Sequence, residues 1–494
     1  MEKQNRATAL VTNKFFPLLL FFVSFVFVAL FSRSTSFLYV FEGGDPAIFK
    51  QMGFALLKGK TLYLDYFDNK GCILYFIQAL GLWLGGDFFI MLLQVLSLTA
   101  TLLIWDKMLA LYRDERSRLI CLGIALVLLL CFYQDGDLTE EWCLPLASYP
   151  LLVYFRSLKS GKDISPVSMF VVGLCFGAIV FIRVNNAAPF LGFMAYYWIQ
   201  QLFNRNYAKF FHSIAIFILG LLLVALVCFL YFYLKAGWDG VDAMVFATFL
   251  SHFEYLWMYV GQQFYVFVLY FLFLSLCLLQ QIVNSCHDKS VLIPSLISYA
   301  LLIVASGTRC FIHYLIAMLP MLIVLLMTMR PQHEKVRNYF FVASLFVAFC
   351  FFLPIPLALT ANDLVLRNDK YTKIYNDFHQ CIENVPEADR DSIYNYNLLG
   401  NGYGMMMHEG LLQCNRVCVS YVTVNMPSLW EQTTDHQVDP KWILLSWDYY
   451  YTDADACFII DNYDLCCEFC HDRVYLQKPL IGQKLQVYLY RRKY

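Results

Sequence analysis

Nine side chains in this sequence have the type and the setting for acid–base or anion-binding work: Asp45, Asp65, Asp68, Lys70, Glu140, Glu141, Arg183, Arg309 and His313. Asp45 comes directly after an apolar run. The chain then passes through a short amphipathic helix and a turn holding Asp65 and Asp68 to reach Asn69-Lys70-Gly71-Cys72. A carboxylate in such a place can orient and deprotonate a hydroxyl, an effect of about 10²–10⁴-fold. A lysine or arginine in a poorly solvated interface stabilises a group that gains negative charge. Glu140 and Glu141 stand in the acidic stretch QDGDLTEE, Arg183 and Arg309 at the ends of apolar runs, and His313 with Tyr314 at the start of another.

Each of these residues also has a structural use. Asp45 before Pro46 is a good helix N-cap with proline at the first helical position. Lys70 can snorkel beside an apolar helix, and Asp65 and Asp68 can simply balance its charge. Glu140 and Glu141 suit the positive end of a helix. Arg183 and Arg309 can anchor an interface, although an ionisable residue that faces a membrane bundle marks a functional site. His313 can be a packed, hydrogen-bonded core histidine, and Glu42 a solvated loop residue.

The elements that must position them are membrane spans. Hydrophobic residues make up 60% of the chain and charged ones 15%, where soluble domains carry about 25% charged. Mean hydropathy is +0.56. Stretches near Phe15–Phe31, Phe88–Trp105, Leu119–Tyr133, Trp142–Phe155, Pro166–Ile182 and Ala187–Phe203 approach the roughly 20 apolar residues that a crossing needs. Others run near Phe211–Leu234, Phe264–Val283, Val291–Ser306, Phe311–Met329 and Asn338–Leu357, giving about eleven. Phe15–Phe31 lacks a following small-residue cleavage site and reads as a retained anchor.

Lysine and arginine placement orients the spans. With the N-terminus inside, the clusters Lys107/Arg113/Arg116/Arg118, Arg156/Lys159/Lys162, Arg205/Lys209, Lys289 and Arg330/Lys335/Arg337 all fall on the cytoplasmic side. The acidic loop falls outside. Cys72–Gly85 is short, and counting it as a span would invert every later loop. It reads as an interfacial helix in a long first outer loop from about Ser32 to Asp87.

From about Thr360 to Tyr494 the chain reads as a mixed α/β domain on the outer side. LVLRNDKYTKIYNDFHQCI has helical spacing, while RVCVSYVTV, KWILLSW, ACFIID and LQVYLYRR are strand-like. Seven of the 17 cysteines lie there: Cys381, Cys414, Cys418, Cys457, Cys466, Cys467 and Cys470. Disulfides or free thiols suit an oxidising compartment. The CCEFCH stretch offers metal ligands instead, without a second close pair to complete a tetrahedral set.

The stretch from Phe41 to Gly81 resembles the first outer loop of the GT-C membrane glycosyltransferases that use polyprenyl-phosphate sugars, such as protein O-mannosyltransferases and lipid A aminoarabinose transferases. Their pattern is an Asp, often Asp-Glu, soon after the first span, then Lys-Pro-Pro or Lys-Gly-Pro opening a juxtamembrane helix. Asp45 and Asn69-Lys70-Gly71-Cys72 hold those positions here. DGDLTEEWCLPL is similar to the second outer loop of bacterial members and RCFIHYLIAMLP to their His-Tyr segment. Pro46 stands where many relatives have Glu, and Cys72 where they have Pro.

The resemblance implies a polytopic GT-C fold and a donor in which a sugar is joined through phosphate to a polyprenol. It also implies Asp45 as the base, with Lys70, Arg309, Arg183 and His313 at the donor phosphate. Glu140, Glu141, Asp65 and Asp68 become acceptor or divalent-metal contacts. The expected partners are the lipid-linked donor, a cell-envelope glycan or glycolipid acceptor and the bilayer, at the periplasmic face of a bacterial inner membrane. A net charge of −1 gives no footprint for nucleic acid, and neither a P-loop nor a Rossmann fingerprint is present. A transporter or flippase for lipid-linked sugars, or a glycan polymerase, is the rival reading. Repeats or matching broken spans, which would favour a transporter, are not visible.

Overall fold

The computed structural model describes residues 2–32, 44–134, 136–251, 264–307, 310–329, 338–366, 369–414, 440–448, 453–472 and 484–493. Glu42, Arg309, Asp135, Cys418, the strand-like run 416–424 and the basic cluster 330–337 lie outside them.

Helices are α1 Glu2–Phe31, α2 Gly44–Leu57, α3 Cys72–Gly85, α4 Asp87–Leu109, α5 Glu115–Phe132, α6 Thr139–Ser160, α7 Pro166–Arg183, α8 Ala188–Phe203 and α9 Tyr207–Val245. There follow α10 Phe264–Ser285, α11 Lys289–Ser306, α12 Leu319–Thr328, α13 Tyr339–Val347 and α14 Pro354–Leu366. Every apolar stretch expected from the sequence falls on helix. Among the described residues six helical stretches are long and apolar enough to cross a membrane, and Phe15–Phe31, Cys72–Gly85 and Ile312–Thr328 are shorter apolar helices. Along Tyr207–Leu250 only 17% of the most apolar window is buried. Leu219, Leu222, Leu226, Val227 and Leu230 stand exposed on it, a surface that suits lipid and not water.

Local chemistry sets the helix ends. Ser165 caps α7 by accepting the Ser168 N–H, with Pro166 at the first helical position. Gly86, at φ +79°, stops α3 by turning its N–H back onto the Gly81 and Leu82 carbonyls. Two spans are broken by 3₁₀ turns, Val184–Ala187 before α8 and Ile312–Met318 before α12. Non-helical backbone at membrane depth is tolerated where it is buried in protein or lines a cavity.

The chain forms two compact units. The first comprises Met1–Phe31, Met91–Tyr231 and Leu256–Pro356, and holds most of the spans. The second joins Ser32–Ile90 and Phe232–Tyr255 to Leu357–Tyr494, so the first loop belongs with the C-terminal residues.

Within the second unit, α15 Asp369–Glu383, α16 Leu399–His408 and α17 Asp453–Asn462 surround a sheet of β1 Ile393–Asn395, β2 Trp442–Leu445, β3 Tyr463–Asp472 and β4 Lys484–Arg492. Its order is β1-β2-β4-β3, with β1 and β2 parallel and the other pairs antiparallel. Alternating strand residues feed two cores. Ile393, Trp442, Leu444, Val487 and Leu489 pack with Phe378, Ile382 and Met406, whereas Tyr394, Ile443 and Leu445 pack with Ile459 and Tyr463. The run ACFIID is helical, not extended: it lies on α17, whose first turn carries Asp453 and Asp455. Those acids favour a helix N-terminus, and a run of six residues is too short for periodicity to separate the two states. Cys467, of the CCEFCH stretch, is disulfide-bonded to Cys381, tying β3 to α15 and leaving that stretch one thiol fewer for a metal.

Candidate active site

In the second unit the site is built on α2. Asp45 lies in the first turn of α2, half-buried, and makes no hydrogen bond or ion pair among the described residues. The expected N-cap bond is therefore not what occupies it. One turn on, Phe49 is buried, and residues four apart share a helix face. The Lys70 ammonium stands 5.4 Å from the centre of the Phe49 ring. The face of α2 that carries Asp45 is thus the face that Lys70 meets.

Lys70 does not snorkel. It is 9% exposed, and its ammonium lies 3.3 Å from Asp68 Oδ1. Asp68 is fully buried and accepts from its neighbour's N–H at Asn69 (2.8 Å) and from the Tyr75 hydroxyl (2.7 Å). The Tyr63 hydroxyl donates to the Lys70 carbonyl at 2.7 Å. Tyr63 itself adopts φ +68°, a conformation that costs a bulky residue energy and clusters at functional sites. Asp65 is exposed and accepts the Thr61 N–H at 2.6 Å, closing its own turn. The loop is bound to the C-terminal part of the same unit: α2 packs on α16, and the Tyr66 hydroxyl donates to the Gln413 carbonyl.

In the first unit a second polar cluster gathers at the ends of α6 and α7 and at the Ile312–Met318 turn. Arg183 donates from Nη1 to Glu140 Oε1 at 2.8 Å and from Nη2 to the Tyr314 hydroxyl at 2.6 Å. Its guanidinium also lies over the Tyr314 ring, 4.4 Å from the centre. Thr139 donates to the other Glu140 oxygen at 2.9 Å. Glu140, Arg183 and Tyr314 border a cleft that Asn186, Tyr270 and Ser306 help to line. Glu141 turns away. It accepts the Leu138 N–H and faces another cleft with Tyr133, Gln94 and Ser97. His313 is buried, stacked on Phe311 and bonded through Nδ1 to Gln134 at 2.8 Å.

The structure thus pairs Asp68 with Lys70 against the face of α2 that carries Asp45, and pairs Glu140 with Arg183, while His313, next to Tyr314, bonds to Gln134. It separates Glu140 from Glu141 and gives Asp65 a local task. Tyr63, Tyr75, Phe49 and Thr139 were not singled out from the sequence, because a lone tyrosine, phenylalanine or threonine in an apolar chain carries no spacing signal. Among the described residues no group of three or more His, Cys, Asp or Glu side chains is placed to hold a metal ion.

The backbone arrangement is shared with solved enzymes. It is similar to ArnT from Cupriavidus metallidurans in the apo state, with a TM-score of 0.58 at 13% identity over 98% of both chains. The chain has the GT-C fold. The same ArnT bound to undecaprenyl phosphate superposes with a TM-score of 0.57. The archaeal oligosaccharyltransferase AglB from Archaeoglobus fulgidus, in complex with an inhibitory peptide and a dolichol-phosphate, gives 0.53 at 11% identity, over 88% of this chain and 70% of that one. No protein-family model matches this chain, and no curated protein matches it by sequence. The fold relation is therefore carried by structure.

Proposed function

We propose that this protein is an inverting glycosyltransferase that moves a sugar from a polyprenyl-phosphate carrier to an envelope glycan, glycolipid or protein. The observation that supports the reading is that Lys70 packs on Phe49, on the face of α2 that carries Asp45. A base with a cation packed on the same helix face suits a reaction in which a hydroxyl attacks and a phosphate leaves. The fold neighbours were solved with undecaprenyl phosphate and with dolichol-phosphate, carriers of the class proposed here.

In this reading Asp45 takes the proton of the acceptor hydroxyl as its oxygen bonds to the anomeric carbon. The bond from that carbon to the carrier phosphate breaks, and the phosphate leaves with the electron pair. Attack opposite the leaving group inverts the anomeric centre. Lys70 stabilises the charge that gathers on the phosphate, and Arg183, Arg309 and His313 are further proposed contacts to it. Glu140 and Glu141 are the proposed acceptor or divalent-metal contacts. In this reading the site and the C-terminal domain lie on the periplasmic face of a bacterial inner membrane. The Cys381–Cys467 disulfide supports that side, since disulfides persist in oxidising compartments.

Asp45→Asn tests the reading, because it keeps size and polarity and removes charge and basicity. With purified protein and undecaprenyl-phosphate sugars, turnover should fall by about 10²-fold or more. The thermal midpoint should stay near wild type. Wild-type transfer by a well-folded Asp45→Asn protein would remove Asp45 from the chemistry.

A further inference from the structure

Two buried lysines in the second unit are paired in different ways. Lys50, with no exposed surface, closes on Asp87 Oδ1 at 2.7 Å, within the about 2.7–2.9 Å of a fully made charge-assisted bond. Lys70 stands off from Asp68 at 3.3 Å. Asp68 cannot follow it. Its Oδ2 is held by the Tyr75 hydroxyl and its Oδ1 by the Asn69 N–H. The carboxylate is thus pinned by two uncharged donors, and the ammonium meets it at the edge of bonding distance while resting against the Phe49 ring.

We propose that Asp68 is a positioning residue that competes with the carrier phosphate for Lys70. It keeps the ammonium in place before the carrier binds and limits how tightly the spent polyprenyl phosphate is held. This rests on the reading of Lys70 as the phosphate contact. The physical basis is that a carboxylate bonded to the ammonium offsets part of its attraction for a second anion, so the effect acts through Lys70. In a partly buried setting such charge–charge effects exceed those in water several-fold. The Tyr75 hydroxyl moderates the competition by drawing on Oδ2. A carboxylate that lined the acceptor path or merely braced the loop would have no such opposing action on phosphate.

The test measures binding of sugar-free undecaprenyl phosphate to the full-length protein in nanodiscs. Asp68→Asn removes the charge and keeps the shape; its amide oxygen still accepts the Asn69 N–H, and its NH2 takes the place of Oδ2 and donates to the Tyr75 hydroxyl. It should bind undecaprenyl phosphate about tenfold more tightly, and transfer should become more sensitive to inhibition by that product. Tyr75→Phe frees Oδ2, strengthens the competitor and should weaken binding by about threefold. It carries the test if Asp68→Asn does not fold. In a Lys70→Ala background, Asp68→Asn should change the affinity by less than about twofold, since the coupled partner is gone. A folded Asp68→Asn protein that binds no more tightly than wild type overturns the proposal. So does an equal gain without Lys70. Wild-type affinity in Lys70→Ala alone sinks the phosphate reading of Lys70 first, and this inference with it.

Discussion

Arg183 and Glu140, 43 residues apart, meet at 2.8 Å with both side chains almost fully buried. The pair ties the last residue of α7 to the first turn of α6, and Tyr314 joins the 3₁₀ turn to the same guanidinium. Removing one partner leaves a buried charge without its counterpart, which costs about 3–5 kcal/mol, whereas replacing both with apolar residues costs far less. Arg183→Leu or Glu140→Leu should therefore lower the thermal midpoint more than the double replacement does. Differential scanning fluorimetry of the three variants in one detergent decides it. Additive losses would mean that the pair contributes nothing as a pair.

Gly53 is where α2 and α3 touch. A Cβ added there would lie 2.7 Å from the Gln78 Cβ and 2.8 Å from the Ala79 backbone nitrogen, neither of which is a free side-chain end. Gly53→Val should push α2 from α3 at an overpacking cost of about 1–3 kcal/mol. Tyr75, which holds Asp68, is on α3, so transfer should fall much further than the melting shift predicts. Gly123→Ala, with nothing within 4 Å of the new methyl, serves as the control and should keep both activity and midpoint.

The Cys381–Cys467 bond closes a stretch of 86 residues in the C-terminal part of the chain. Its loss in Cys467→Ser should cost about 2–4 kcal/mol, read as a lower midpoint that reductant no longer moves. Peptide mapping under non-reducing conditions should recover the Cys381–Cys467 pair from membranes. Fully reduced Cys381 and Cys467 in native membranes would argue against an outer location for this domain.

His379 on α15 sits beside two carboxylates, with Nδ1 2.8 Å from Glu409 and Nε2 3.6 Å from Glu383. The hydrogen bond to Glu409 and its charge hold the imidazole above its ordinary value near 6.5. A raised folded value means that the stabilisation is complete below about pH 6.5. It is lost as the pH rises through the folded value. The thermal midpoint of wild type should therefore drop between about pH 6.5 and 8.5 by more than that of Glu409→Gln. Parallel pH profiles of the two proteins would show that the pair does not couple to folding.

The apolar stretches were legible in the sequence because a span leaves a long, local signature: some twenty residues of one character, bounded by charge. Asp45 and Lys70 could be picked out as candidates because they fall in one continuous stretch of the first outer loop. A short apolar run such as ACFIID was not, since six residues fit strand and helix alike and only the acidic first turn and the packing of Ile459 decide for helix. Pairings across the chain were invisible for a stronger reason. Composition and periodicity report on neighbours in sequence, and nothing in them couples Arg183 to Glu140, Cys381 to Cys467, or α2 to α16. Those pairings exist because burial forces each polar group to find a partner among whatever the fold brings near. So the sequence determined which residues could do chemistry and that membrane spans frame the loops and span ends on which they stand. The tertiary structure alone decided that Asp45 stays unpaired among the described residues, that Asp68 is spent on holding Lys70, and that Glu140 and Glu141 face different clefts.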